Sequence, residues 1–290
     1  MPEEIRILKI GDKNYPKLLK KIKDAPEVIY YSGELNPGDQ CFAIVGTRRF
    51  SSYGKQVALE IAGDLAETGL TIVSGLAPGI DTFAHTAAVE RRKRTIAVLG
   101  TGLDEKSIYP QSNLKLAQRI LETGGCLISE YPPGTRGTQF TFPKRNRIIS
   151  GLSLGILVVE AKERSGALIT AEWAKKQGRK IFAIPGPIHS LNSRGCHYLI
   201  KQGAKLVERA NDILKELNLP YSTSGVGYLT GGTPEENLIL EVLKEGPLYI
   251  DKIIEKTKLS AQKVASNLAI LEIKGKVKNL GANVYAVSHS

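Results

Sequence analysis

Six short runs of β-branched and apolar residues, most of them followed by a stretch of helical periodicity, constrain this chain more than any other feature. They read CFAIVG (41–46), LTIVSG (70–75), TIAVLG (95–100), CLISE (126–130), LGILVVEA (154–161) and KIFAIPG (180–186). Each run is nearly continuous in apolar residues rather than alternating, as a strand must be when both faces of its sheet are covered. Helical stretches occupy residues 55–68, 80–92, 114–122 and 168–177 between them. This alternation predicts an α/β fold, a Rossmann-like, doubly wound, mostly parallel sheet over residues 41–217. In such a sheet the loops at the strand C-termini are free to meet a ligand. Several runs end in glycine (Gly46, Gly75, Gly100, Gly186), which lets backbone turn sharply or approach a ligand closely.

Residues 218–233 (NLPYSTSGVGYLTGGT) are rich in Gly, Ser and Thr, carry no charge and read as a flexible linker. Beyond them, residues 234–290 form a small unit with helices expected at 234–244, 250–257 and 261–274, then a strand pair in NLGANVYAV (279–287). Ser260 suits an N-cap and Pro234 a first helical turn. Three helices and a hairpin make a winged-helix pattern, whose third helix commonly meets DNA. Contact with DNA, contact with protein and auxiliary packing all remain open for this unit.

The formal charge of +11 is unevenly spread. Residues 41–217 carry 25 basic and 15 acidic groups, whereas residues 1–40 balance at 7 each and residues 234–290 carry 8 against 7. The excess therefore sits on the sheet domain, where a polyanion would dock. The near-neutral terminal unit argues against strong duplex affinity there. Cys41 and Cys126 lie in apolar runs as small core residues. Cys196 beside His197 has no further ligands in reach, so no metal is expected. Odd, widely spaced cysteines suit a reducing cytosol, and no segment reads as a signal peptide or approaches the roughly 20 apolar residues of a membrane span. A cytoplasmic protein without membrane contact is the expectation.

Four segments carry candidate chemistry. FTFPKRNRIISG (140–151) sets Lys144, Arg145 and Arg147 beside Phe140 and Phe142, with Asn146 between the cations. Cations neutralise phosphates and flat rings stack on unpaired bases, the two ingredients of single-strand binding, although many basic loops are only solvated surface. VGTRRFSSYG (45–54) leads from a strand into a helix, so helix-start N–H groups plus Arg48 and Arg49 would attract phosphate. It is not a Walker loop, and no GxGxxG follows any strand, so neither a nucleotide loop nor a dinucleotide cofactor is indicated. ERSGALITAEWA (163–174) offers Ser165, Gly166 and Thr170 around another helix start, or an ordinary strand-to-helix connection. In SGLAPGIDTFAH (74–85), Asp81 and His85 share a helix face, but no nucleophile pairs with them and both read as structural. RRKR (91–94) reads as a solvated helix cap.

These segments, with YPQSN (109–113), SEYPPGT (129–135) and IPGPIHSLNSRGCHYLIKQGA (184–204), occur in an order that closely resembles the DNA-processing protein A family, DprA/Smf. The resemblance covers roughly residues 14–210. It implies an extended Rossmann-like domain that binds and protects single-stranded DNA, helps load the RecA recombinase in natural transformation, and forms a homodimer, without catalysis. By motif match it assigns DNA contact to Gly46, Thr47, Arg48 and the FPKRNR cations, a ring role to Phe142, and the second pocket loop to Ser165, Gly166 and Thr170. Many family members begin with a fuller helical domain, so residues 1–40 are expected to pack on the core as an abbreviated segment.

Two other functions compete. Nucleoside-monophosphate phosphoribohydrolases of a related Rossmann-like group use a PGGxGTxxE loop, and Glu172 falls near the place of its carboxylate. ERSGALITAEW lacks the double glycine, however, and a catalytic carboxylate needs its surrounding geometry. A pure scaffold for recombination proteins would have no need of the central positive charge.

Overall fold

A computed structural model describes residues 4–220, 233–243 and 246–288. The chain divides into two compact units, Met1–Tyr221 and Ser222–Ser290. Most of the expected linker lies outside the described residues.

The larger unit is built on nine strands. In chain order its elements are β1 (Arg6–Lys9), α1 (Lys17–Lys20), β2 (Val28–Gly33), β3 (Cys41–Val45), α2 (Ser52–Glu67), β4 (Thr71–Ser74), α3 (Ile80–Glu90) and β5 (Thr95–Leu99). There follow α4 (Leu114–Glu122), β6 (Cys126–Ser129), α5 (Thr141–Leu152), β7 (Gly155–Val158) and α6 (Gly166–Lys176). The unit ends with β8 (Lys180–Ala183), α7 (Arg194–Lys201), β9 (Lys205–Leu206) and α8 (Ala210–Glu216). The strands lie in the order β1-β2-β6-β5-β4-β3-β7-β8-β9. All neighbours from β6 to β9 run parallel.

Side chains alternate across a strand, and both faces are buried. In β3, Ala43 and Val45 join one apolar cluster with Ile148, Ile149 and Leu152 of α5 and Ala167, Ala171 and Ala174 of α6. Phe42 and Ile44 join the opposite cluster with α2 and α3 through Ala58, Leu65, Ile80 and Ala84. This is the doubly wound arrangement that the continuous apolar runs require.

Two regions depart from the sequence reading. Residues 1–40 do more than pack on the core. Their strand β2 pairs antiparallel with β6, β1 pairs with β2, and Tyr15, Leu19, Ile22 and Ile29 enter the same cluster as α5. An edge hairpin half open to solvent lacks the continuous apolar run that marks the central strands. The FPKRNR segment is not a loop but the first half of α5. Pro143 is tolerated in the opening turn, and burial of Ile148, Ile149 and Leu152 anchors the helix.

The smaller unit contains α9 (Pro234–Leu243), β10 (Leu248–Tyr249), α10 (Ile250–Thr257), α11 (Ala261–Ile273), β11 (Val277–Asn279) and β12 (Val284–Val287), with sheet order β10-β12-β11. The three helices close on Ile239, Leu243, Ile253, Val264 and Leu268. Ser260 caps α11 by accepting from the Lys263 N–H at 3.3 Å, and buried Glu236 of α9 pairs with Lys274 at 2.8 Å. This is the winged helix that the sequence implies.

Candidate nucleic-acid interface

From β3 the chain steps one way through β4, β5 and β6, then returns and steps the other way through β7, β8 and β9. Strand order therefore reverses between β3 and β7. Loops leaving those two neighbours diverge, opening a crevice beyond their C-terminal ends. A cavity of about 520 Å³ occupies this place, and ten of the twelve candidate residues line it. Gly46, Thr47, Arg48 and Arg49 come from the β3–α2 loop, Phe142, Arg145 and Asn146 from α5, and Ser165, Gly166 and Thr170 from the start of α6. Lys144 and Arg147 do not line it.

The β3–α2 loop is pinned by its own backbone. The Thr47 N–H donates to the Glu160 carbonyl at 2.8 Å, the Arg49 N–H donates to Thr47 Oγ1 at 3.1 Å, and Asn192 Nδ2 donates to the Arg49 carbonyl at 2.9 Å. The guanidinium groups of Arg48 and Arg49 are left exposed. Gly79, at φ +87°, brings the start of α3 against this loop, where a Cβ would lie 2.4 Å from the Thr47 carbonyl oxygen.

The start of α2, expected to attract phosphate, is already filled. Ser51 caps it by accepting from the Gly54 N–H, and the Glu160 carboxylate accepts from Ser51 N–H at 3.0 Å and Ser51 Oγ at 2.6 Å. An internal carboxylate thus holds the place of an external anion. The start of α6 is different. Ser165 occupies the N-cap without a side-chain capping bond, and its Oγ has no partner among the described residues. Asn146 Nδ2 donates to the Gly166 carbonyl at 3.2 Å and ties this helix start to α5. Uncapped N–H groups facing the cavity favour an anion.

Helix α5 sends its polar residues two ways. Phe142, Arg145, Asn146 and Ile149 follow helical spacing along the cavity. Arg145 is 4% exposed. One of its terminal nitrogens donates to the Gly75 carbonyl at 2.7 Å and to the Val98 carbonyl, and its Nε donates to Asn146 Oδ1 at 3.1 Å. Burial pulls its pKa down to about 10 against the opposing pull of Asp81, so it remains a cation at neutral pH. Asp81, raised by burial and held down by Arg145, accepts from the Gly75 N–H at 3.0 Å. Arg145 is thus a cavity-lining structural cation, not the open phosphate ligand that its motif suggests. Lys144 and Arg147 turn to another face. Arg147 is buried between Glu130 and Asp24, the latter at 3.4 Å, and Lys144 reaches Glu130 at 3.5 Å. Three residues apart on a helix, they share a side that points away from the crevice.

Phe142 lies under the Arg48 guanidinium, 5.7 Å from the ring centroid. Phe140 is 74% exposed at the start of α5. Lys162 and Arg164, both exposed, also line the cavity and were not singled out from the sequence. Their signal was present as two cations immediately before an uncapped helix start. Glu172 lines an adjoining groove with Tyr198 rather than this cavity, so the carboxylate assigned to the hydrolase alternative is not among the cavity's lining residues. His85 is a packed residue. Its Nδ1 lies 2.8 Å from Thr95 Oγ1, and burial, reinforced by Arg145, pulls its pKa down to about 3. In RRKR, Arg91 pairs with Asp64 and Glu67 and Arg94 with Asp39, so both are tied down. Among the described residues no cluster of His, Cys, Asp and Glu could hold a metal, and no helix is long and apolar enough to cross a membrane.

The sequence pattern of DNA recombination-mediator protein A matches residues 6–218, and that of the DprA winged helix domain matches residues 229–283. Protein Smf of Escherichia coli is 48% identical over 204 residues, which cover 70% of this chain and 54% of the relative, so the chain spans about half of that protein's length. DNA processing protein DprA of Bacillus subtilis is 44% identical over 216 residues, covering 73% of this chain and 71% of the relative. Among solved structures, DNA processing protein A from Streptococcus pneumoniae matches with a TM-score of 0.69 at 44% identity, over 76% of each chain. The protein of the same name from Helicobacter pylori, whose structure addresses its mode of single-stranded DNA binding, matches with a TM-score of 0.66 at 30% identity, over 74% of this chain and 96% of that one. The sheet topology, the crevice between β3 and β7 and these matches together lead to one conclusion: the chain belongs to the DNA recombination-mediator protein A family, DprA/Smf.

Proposed function

We propose that the β3/β7 crevice binds single-stranded DNA without regard to sequence. On this reading the protein protects such DNA and helps load the RecA recombinase in natural transformation and recombination, as a cytoplasmic homodimer. The supporting observation is the meeting of free cations with an uncapped helix start in one cavity. Arg48, Arg49, Lys162 and Arg164 make no ion pair among the described residues, and the start of α6 opens beside them. Free cations of this kind exchange bound counterions for phosphates. In this reading Arg48, Arg49, Ser165 and Gly166 contact the phosphates, while Gly46, Thr47 and Thr170 let the backbone come close. Phe142, Arg145 and Asn146 hold the cavity's shape. Lys144 meets a strand only where it leaves along the flank of α5, and Arg147 acts through its hold on Glu130 and Asp24.

The test is a titration of labelled oligo-dT and of the matching duplex at two salt concentrations. The single strand is expected to bind more tightly, with affinity falling as salt rises by about 0.7 in log K per log salt for each phosphate contacted. Equal affinity for strand and duplex would overturn the reading, because the crevice would then be taking backbone alone.

A further inference from the structure

Helices α2 and α6 follow the two strands that border the crevice, yet their starts are treated oppositely. In a doubly wound sheet the helix after a switch-point strand is the usual seat of a free nucleotide's phosphate, because its first N–H groups and its dipole meet the ligand there. At α6 that seat is open: Ser165 makes no capping bond, and its Oγ has no partner among the described residues. At α2 the seat is taken from within, by Glu160.

Glu160 lies two residues beyond β7 and is 3% exposed. Its Oε1 accepts from Ser51 Oγ at 2.6 Å, and its Oε2 accepts from the Ser51 N–H at 3.0 Å and from Asn192 Nδ2 at 3.5 Å. A buried carboxylate is ordinarily paired with a cation. Glu160 makes no ion pair among the described residues. Neutral donors and the positive end of α2 compensate its charge instead, which shows that this helix start can hold an anion. The approach is close by construction. Gly54, in the first turn of α2, stands so near that a Cβ there would lie 2.3 Å from Glu160 Oε2. A side chain at this position would push the carboxylate off the helix.

Resting on the single-strand reading of the crevice, we infer that Glu160 is a specificity-determining residue that closes the α2 start to phosphate and so turns the site away from free nucleotides. A mononucleotide carries its charge at one point and is left with one helix start. A strand carries a phosphate at every step and can draw on Arg48, Arg49, Lys162 and Arg164 together, so the closed seat costs it little.

The experiment measures how 5′-dTMP raises the thermal unfolding midpoint of the full chain and of its Glu160→Ala, Glu160→Ser and Glu160→Gln variants, at ionic strength matched with chloride and with thymidine as the control lacking phosphate. The alanine and serine variants empty the seat and are expected to bind dTMP about tenfold more tightly than the parent. The serine variant keeps a hydroxyl beside Ser51 and carries the test if the alanine variant does not fold. The glutamine variant removes the charge but fills the place, and should stay within about twofold of the parent, since salt screens a charge that no longer competes for the same donors. Folded alanine and serine variants that bind dTMP like the parent would overturn the inference. So would an equal gain in the glutamine variant, which would reflect net charge alone, or an equal gain for thymidine, which would reflect an enlarged hole. Labelled oligo-dT and its duplex, titrated against the same proteins, test the site reading separately. A parent that takes both alike, beside a serine variant that gains dTMP, would leave the closed seat standing while the single-strand reading fails.

Discussion

Arg48 and Arg49 on the loop after β3, and Arg145 and Arg147 on helix α5, are the same residue type in motifs of similar appearance, yet their surroundings are opposite. The first pair is exposed on a loop whose backbone is fixed and whose guanidinium groups have no carboxylate partner among the described residues. The second pair is about 4% exposed and committed to internal acceptors: backbone carbonyls for Arg145, Glu130 and Asp24 for Arg147. Positive charge counted along a sequence is therefore not positive charge offered to a ligand. The +11 of the whole chain includes cations that only hold the fold together.

That contrast can be broken by substitution. The largest effect is expected from Arg145→Ala, which strands Asp81 and the Gly75 and Val98 carbonyls in the interior; removing one partner of such a buried group costs about 3–5 kcal/mol. Denaturant unfolding monitors it, and a loss under about 1 kcal/mol would show that the interior layer does not depend on this cation. Acid should reach the same layer through His85. Its pKa of about 3 lies below the ordinary 6.5, so stability is full above pH 6.5 and declines as pH falls toward 3. At pH 4 the decline reaches roughly 3 kcal/mol, and it should flatten in His85→Asn.

The rim should respond in the opposite manner. Reversing both open charges with Arg48→Glu and Arg49→Glu is expected to weaken oligo-dT binding about a hundredfold at low salt, through lost phosphate neutralisation, while the unfolding midpoint barely moves. A smaller effect separates the two sides of α5. Lys144→Ala should lower affinity less than about threefold, because a surface cation already paired with Glu130 adds little; a loss as large as that of Arg48→Ala would route the strand along the helix flank. The smallest change is expected on ending the chain after Tyr221. The winged helix carries nearly balanced charge, and affinity for single strands should stay within about twofold, read by the same titration.

The legible parts of the molecule are those where one physical cause dominates. Central strands are buried on both faces, so CFAIV and TIAVL announce themselves, and Ser260 marks the start of α11 because a cap needs a particular side chain. Helix α5 was hidden because the residues it buries first are Arg145, Asn146 and Arg147, and no apolar stripe marks their side of the helix. The filled start of α2 was hidden for another reason. Its anion, Glu160, is 109 residues away from Ser51 in sequence, and only the parallel pairing of β3 with β7 brings them together. Lys162 and Arg164 were visible as residues but not as a site, since the role proposed for them depends on α6 lacking a side-chain cap.

Arg145 bridges the carbonyls of Gly75 and Val98, at the ends of two neighbouring strands, before any ligand arrives. On the proposed reading, the part of the floor that Arg145 holds is already in place when a nucleotide arrives, and capture should approach the speed of electrostatically guided encounter. Differences between good and poor ligands would then appear in how long they stay, and residence time would be the quantity by which such a crevice sorts them.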